Sequence, residues 1–92
     1  SHLPHLAEDL WLQIERKNVE AKGVTLKLKT HDFRIITRSL TYSSVLPDSA
    51  SLLQAAHTLL QRIPPQREDA FRLIGIGVSH LLPKNQQQTL WL

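Results

Sequence analysis

A chain of 92 residues with 41% hydrophobic content holds one small domain and excludes a second core. Its formal charge of +3 favours anionic partners only weakly, and the absence of cysteine removes disulfides, thiol nucleophiles and thiolate metal sites together. No apolar run approaches the roughly 20 residues needed to cross a bilayer, and the start lacks the pattern of a signal peptide, so the chain reads as soluble. The opening Ser1-His2, with no initiator methionine, reads as an excised start.

The elements follow in chain order. Leu6, Leu10 and Ile14 recur every fourth position, with Trp11 widening the stripe and Pro4 suited to a first turn, which predicts a helix over 4–18. Asn18 to Gly23 reads as a polar connector. Val24, Leu26 and Leu28 then alternate with Thr25, Lys27 and Lys29, the period of a strand with one buried face. Thr30 to Asp32 is the expected turn, and Phe33 to Tyr42 the antiparallel partner strand. Pro47 and Asp48 stop the hairpin. Asp48, Ser49 or Ser51 is positioned to cap a second helix running to about Arg62, with Leu52, Ala56, Leu59, Leu60 and Ile63 as its buried stripe and Pro64-Pro65 ending it. A last strand is expected from about Ala70 to Leu82. Arg72, Ile74, Ile76 and Val78 fall on one side of it, and Leu73, Gly75, Gly77 and Ser79 on the other. The expected architecture is α+β, a two-layer sandwich with two helices on one face of an antiparallel sheet.

Charge is segregated along this order. Glu8, Asp9, Glu15 and Glu20 lie near the start and Glu68 and Asp69 before the last strand, while Lys22, Lys27, Lys29, Arg34 and Arg38 crowd the hairpin with only Asp32 opposing them. Such a ribbon suits a polyanion, because each neutralised phosphate releases condensed counterions. Hydroxyls of Thr25, Thr37 and Ser39 would assist Lys27, Lys29, Arg34 and Arg38. Charge alone also fits an ordinary solvated face. The alternation of Gly75 and Gly77 favours binding, since it leaves backbone uncovered, although glycines there also suit packing against a bulky neighbour.

After Pro83 a polar stretch leads to Gln87-Gln88-Thr89-Leu90-Trp91-Leu92, a polar anchor followed by apolar side chains, which suits an apolar pocket on a partner. His2, His5, His31, His57 and His80 are dispersed, and no metal site is expected from them. No carboxylate pair, activated serine or glycine-rich phosphate loop is in view, so the chain reads as non-catalytic.

Two stretches together, GVTLKLKTHDFRIITRS and FRLIGIGVSHL, carry a recognisable pattern. It resembles the C-terminal little finger domain of Y-family translesion DNA polymerases, closest to the bacterial DNA polymerase IV (DinB) type. The resemblance implies a domain over 1–83 that lays its sheet along the major groove of template-primer duplex DNA and grips phosphates. Thr25, Lys27, Lys29, Arg34, Thr37, Arg38, Ser39, Leu73, Gly75 and Gly77 would form the contacting surface. It implies a tail over 84–92 that binds the sliding clamp through Gln87, Leu90, Trp91 and Leu92, with Gln88 where an apolar residue is common. It further implies a bacterial cytoplasmic location, and a parent nucleotidyltransferase whose magnesium sits in a palm domain, with no cofactor in this chain. The family's domain begins with a strand before its first helix. This chain starts at the helix, so an N-terminally truncated sheet is expected, and its oligomeric state is left open. Two other functions fit the same composition: a ferredoxin-like RNA-binding module, disfavoured because Phe33 and Tyr42 lie at the hairpin's ends, and a pure protein-interaction domain.

Overall fold

The computed structural model describes residues 3–63 and 71–83, the last segment with side chains from residue 74 onward. Helix α1 covers Leu3–Arg16 and is followed by strand β1 (Val19–Thr30), strand β2 (Ile35–Thr41), helix α2 (Ser49–Gln61) and strand β3 (Phe71–Pro83). The three strands form one antiparallel sheet in the order β2-β1-β3. The architecture is the expected α+β arrangement of two helices and an antiparallel sheet.

Alternation along β1 decides the layering. Val24, Leu26 and Leu28 are fully buried and join Leu3, Ala7 and Ile14 of α1 and Leu52, Ala55, Ala56 and Leu59 of α2 in one core. Cross-strand neighbours in an antiparallel pair share a face. The partners of Val24, Leu26 and Leu28 therefore lie on this same side: Leu40, Arg38 and Ile36 on β2, and Val78, Ile76 and Ile74 on β3. All but Arg38 pack against the core.

Several boundaries depart from the sequence reading. The buried stripe of α1 runs through Leu3, Ala7 and Ile14 with Leu10 and Trp11 packed beside it, and Leu6 lies at its margin. A 3-then-4 spacing follows the 3.6-residue helical period, whereas strict every-fourth spacing drifts off the face. The connector expected over Asn18 to Gly23 is mostly strand. Asn18, at φ 55, turns the chain within about one residue of the helix, and β1 then pairs with β3 from Val19↔Pro83 to Thr30↔Phe71. In the hairpin, Phe33 and Arg34 belong to the turn rather than to β2. The second helix agrees with its signals: the Asp48 carboxylate accepts from the Ser51 N–H at 2.8 Å, and the Arg62 N–H closes the other end on Leu59 and Leu60 carbonyls. Pro64 and Pro65 lie outside the described residues.

The chain between β2 and α2 is tied back to β1. Tyr42 N–H donates to the Lys22 carbonyl at 2.9 Å and Leu46 N–H to the Ala21 carbonyl at 2.8 Å, and the Leu46 side chain is buried. These bonds carry the start of α2 across the sheet and leave the opposite face uncovered by either helix.

Candidate nucleic-acid interface

The uncovered face is laid out in cross-strand rows. From one end they read Ser79–Gly23–Thr41, Gly77–Thr25–Ser39 and Gly75–Lys27–Thr37, and the last places Leu73 of β3 and Ile35 of β2 beside Lys29. Successive rows are about 6.7 Å apart, two residues of strand rise. The sequence-expected residues Thr25, Lys27, Lys29, Thr37, Ser39, Gly75 and Gly77 thus share one surface, with Leu73 at a register position on the same row system.

Its chemistry changes along its length. The hydroxyls of Thr25 and Ser39 lie 2.9 Å apart on the open side, so one donates and the other keeps a free lone pair and an open approach. Lys27 is exposed, and the Lys29 ammonium stands 5.3 Å from the centroid of the Phe33 ring. Among the described residues Gly75 and Gly77 are bare: a Cβ built at either meets no atom within 4 Å, and neither has a positive φ. Packing among the described residues therefore gives no reason for glycine at these two positions. Gly23 contrasts with them. A Cβ there would collide with the Ser79 Oγ and lie 2.8 Å from the His80 Nδ1, so a side chain fits in the first row only if Ser79 and His80 give way.

The cations do not form the single ribbon expected from the sequence. Arg38 pairs with Leu26, not with a lysine, and so lies on the helix-covered side of an edge strand. The bonds from Thr30 N–H to the Arg34 carbonyl and from Tyr42 N–H to the Lys22 carbonyl fix which pairs are hydrogen-bonded, leaving the Thr37 carbonyl facing the outer edge. Arg38 donates to that carbonyl at 2.8 Å, capping an open edge group. Lys22 is half-buried, and its alternation sets it with Val24 rather than with Lys27. Arg34 sits in the hairpin turn, its Nε 3.1 Å from the Asp32 carboxylate. Asp32 also accepts from the Thr30 hydroxyl, which chiefly holds its carboxyl below the usual value, with the Arg34 charge adding. Among the described residues Lys27 and Lys29 remain as the cations of the uncovered face.

Ile35 was not singled out from the sequence, yet it is 56% exposed beside Lys29. Counting alternate positions from Thr37 would have found it. Gln87, Leu90, Trp91 and Leu92 lie outside the described residues. Among the described residues no three or more His, Cys, Asp or Glu come together to hold a metal ion, and no helix is long and apolar enough to cross a membrane. A cleft of about 280 Å³ between the β2–α2 connection and α2, lined by Tyr42, Leu46, Ser51 and Gln54 among others, carries no charged side chain to neutralise a phosphate.

Comparison with known proteins shows the family of the chain. The impB/mucB/samB family C-terminal domain matches residues 1–90. The chain is 81% identical over 90 residues to a DNA polymerase IV of Neisseria meningitidis serogroup C, covering 98% of this chain and 26% of that protein. It is 80% identical over 90 residues to a DNA polymerase IV of Neisseria gonorrhoeae, with the same coverage. A DNA polymerase IV of Xanthomonas oryzae pv. oryzae is 38% identical over 79 residues, 86% of this chain and 22% of its own length. The chain spans about a quarter of the length of these relatives. It belongs to the impB/mucB/samB family, whose C-terminal domain it matches from residue 1 to residue 90.

Proposed function

We propose that this chain is the non-catalytic DNA-holding domain of a translesion DNA polymerase, pressing its uncovered sheet face against the phosphate backbone of template-primer duplex. The observation that carries the reading is the pair Gly75 and Gly77: positions open among the described residues, side by side with Lys27 and Thr25. Glycine in a strand interior costs stability relative to alanine, so its use where space is free points to a surface that must come close to the backbone. A phosphate strand supplies such a surface. Lys27 and Lys29 neutralise it, and the Thr25, Thr37 and Ser39 hydroxyls bond its oxygens. None of these contacts reads a base, so the grip is independent of sequence. Arg34 and Arg38 act at its margin, as a turn brace and an edge cap.

The same proposal extends to the wider assembly, supported by relatives named DNA polymerase IV. The parent polymerase carries its magnesium in a catalytic domain beyond this chain, in a bacterial cytoplasm. The segment Gln87 to Leu92, with Gln87, Leu90, Trp91 and Leu92 as anchors, tethers it to the sliding clamp. Tethering raises the effective concentration at the primer end without any new contact to DNA.

Duplex affinity measured across salt tests the grip. Two neutralised phosphates give a slope of log affinity against log salt of roughly −1.8, shallower than the slope that four cations would give. The double variant Lys27→Glu/Lys29→Glu should remove most of the duplex affinity with the fold intact. A flat salt response, or affinity untouched by the charge reversal, would refute the reading and favour a protein-interaction surface.

A further inference from the structure

The row at Gly23 holds more than a small residue and two hydroxyls. Strands β1 and β3 keep one register from Val19↔Pro83 to Lys29↔Leu73, yet Lys22 and His80, opposite each other in that register, are not paired in it. His80 sits there at φ 55, left-handed backbone that costs any residue with a Cβ. Strict alternation would send its side chain to the helix-covered side with Val78. Instead the ring stands over β1 on the uncovered side, its Nδ1 2.8 Å from where a Gly23 Cβ would lie. The inverted backbone of His80 and the absent side chain of Gly23 together bring an imidazole onto the face that carries Lys27 and Lys29. Strain of this kind clusters at sites that contact ligands.

The side chain is exposed and braced at one nitrogen, with Nδ1 3.1 Å from the Ser79 Oγ, which leaves Nε2 for another partner. In the neutral ring Ser79 donates to Nδ1 or accepts from it, according to the tautomer. In the protonated ring both nitrogens donate, Nδ1–H to Ser79 and Nε2–H outward, and the Ser79 hydroxyl hydrogen is released for a second acceptor. An anion at this row then meets one positive charge and two donors. The surrounding charges lie elsewhere. On β1, Glu20 and Lys22 alternate to the side of Val24, away from the ring. Strand β2 brings Thr41 opposite Gly23, with Tyr42 just beyond its end, and α1 and α2 pack on the other side of the sheet. Among the described residues no carboxylate pairs with His80. Lys27 stands two rows away, about 13 Å.

We infer that His80, set by Ser79 over Gly23, is a third phosphate contact of the uncovered face, made when the imidazole carries its proton. The inference rests on the duplex-holding reading and adds a proton-dependent contact to the permanent ones at Lys27 and Lys29. Its row continues the line of hydroxyls and cations along which the phosphates lie, and it reads no base. Histidine is the side chain that changes charge between pH 5 and 8. A phosphate against the ring favours the charged form, so duplex binding is coupled to proton uptake at this end of the sheet. Gly23 then serves the grip in a different way from Gly75 and Gly77: it makes room for a contacting side chain of the chain itself.

The test measures duplex affinity of the 92-residue chain across salt at pH 6 and at pH 8, for wild type and for His80→Asn. Asparagine suits left-handed backbone and takes no charge, so the variant retains the fold, checked by circular dichroism. His5, His31 and His57 are common to both proteins, so the comparison isolates His80. At pH 6 and 0.1 M salt the wild type should bind about 5- to 10-fold more tightly than His80→Asn, with a slope of log affinity against log salt steeper by about 0.9, the share of one phosphate. At pH 8 the gap should shrink to about twofold or less and the slopes converge. Calorimetry in buffers of unlike ionisation enthalpy should show more proton uptake on binding by wild type than by the variant. Equal affinities and slopes of the two proteins at pH 6, or a loss in His80→Asn that is the same at both pH values, would overturn the His80 contact and leave the duplex grip standing. A His80-dependent gain at pH 6 in a chain whose binding ignores Lys27→Glu/Lys29→Glu would uphold the contact and overturn the grip. No duplex binding by wild type at either pH would overturn both.

Discussion

The two faces of the sheet are written by alternate residues of the same strands, and they answer to different demands. On the helix-covered side Val24, Leu26 and Leu28 are completely enclosed by side chains of α1, α2 and both neighbouring strands. On the uncovered side Thr25 and Lys27 stand next to glycines that no described residue crowds. A substitution on the first side should register as stability. On the second it should register as binding, with stability unchanged or even raised. The lesson is that residues one step apart in β1 need opposite assays.

The largest effect is expected from Leu26→Ala, which empties the centre of the covered face. It should lower unfolding free energy by about 2–5 kcal/mol in urea titration, and a smaller loss would mean that the helices close over the gap. Gly23→Ala comes next. Its added methyl meets the Ser79 hydroxyl and the His80 ring, so a cost of about 1–3 kcal/mol is expected, partly relieved in Gly23→Ala/Ser79→Ala if the hydroxyl is the main obstacle. Asp48→Ala should lower the melting temperature by a few degrees through loss of the α2 cap. The Asp48 carboxyl is held below its ordinary 3.8, first by the Ser51 N–H and then by the Ser51 side chain. A depressed native value means that the cap contributes fully above pH 3.8 and fades as pH falls through the native value. The gap between wild type and Asp48→Ala should therefore be constant near neutrality and narrow only in acid.

Much of this division is legible in the sequence. The strict alternation over Val24 to Lys29 sets Lys27 and Lys29 opposite the leucines, and Gly75 and Gly77 opposite Ile74, Ile76 and Val78. Asp48 announces α2. Arg38 was not legible in the same way, because Ile35-Ile36 breaks the alternation of β2 and leaves two parities open. Only pairing with β1, Leu26↔Arg38, decides between them. The connector misread over Asn18 to Gly23 has a similar cause. Lys22-Gly23 has the composition of a turn, and it becomes strand because Ser79 and its neighbours on β3 lie against it. Long-range partners, not local preference, fixed both positions. The pairing of Arg34 with Asp32 was hidden for the same reason, since it depends on the shape of a turn closed by Thr30.

The account's central claim is that Gly75 and Gly77 are kept for a close-approaching partner rather than for the fold. Measuring both unfolding free energy and duplex affinity of Gly75→Ala/Gly77→Ala tests it most directly. The account predicts a protein stabilised by about 0.5–1 kcal/mol per site that binds duplex DNA more weakly than wild type. A destabilised variant, or one that binds duplex as tightly as wild type, would contradict it.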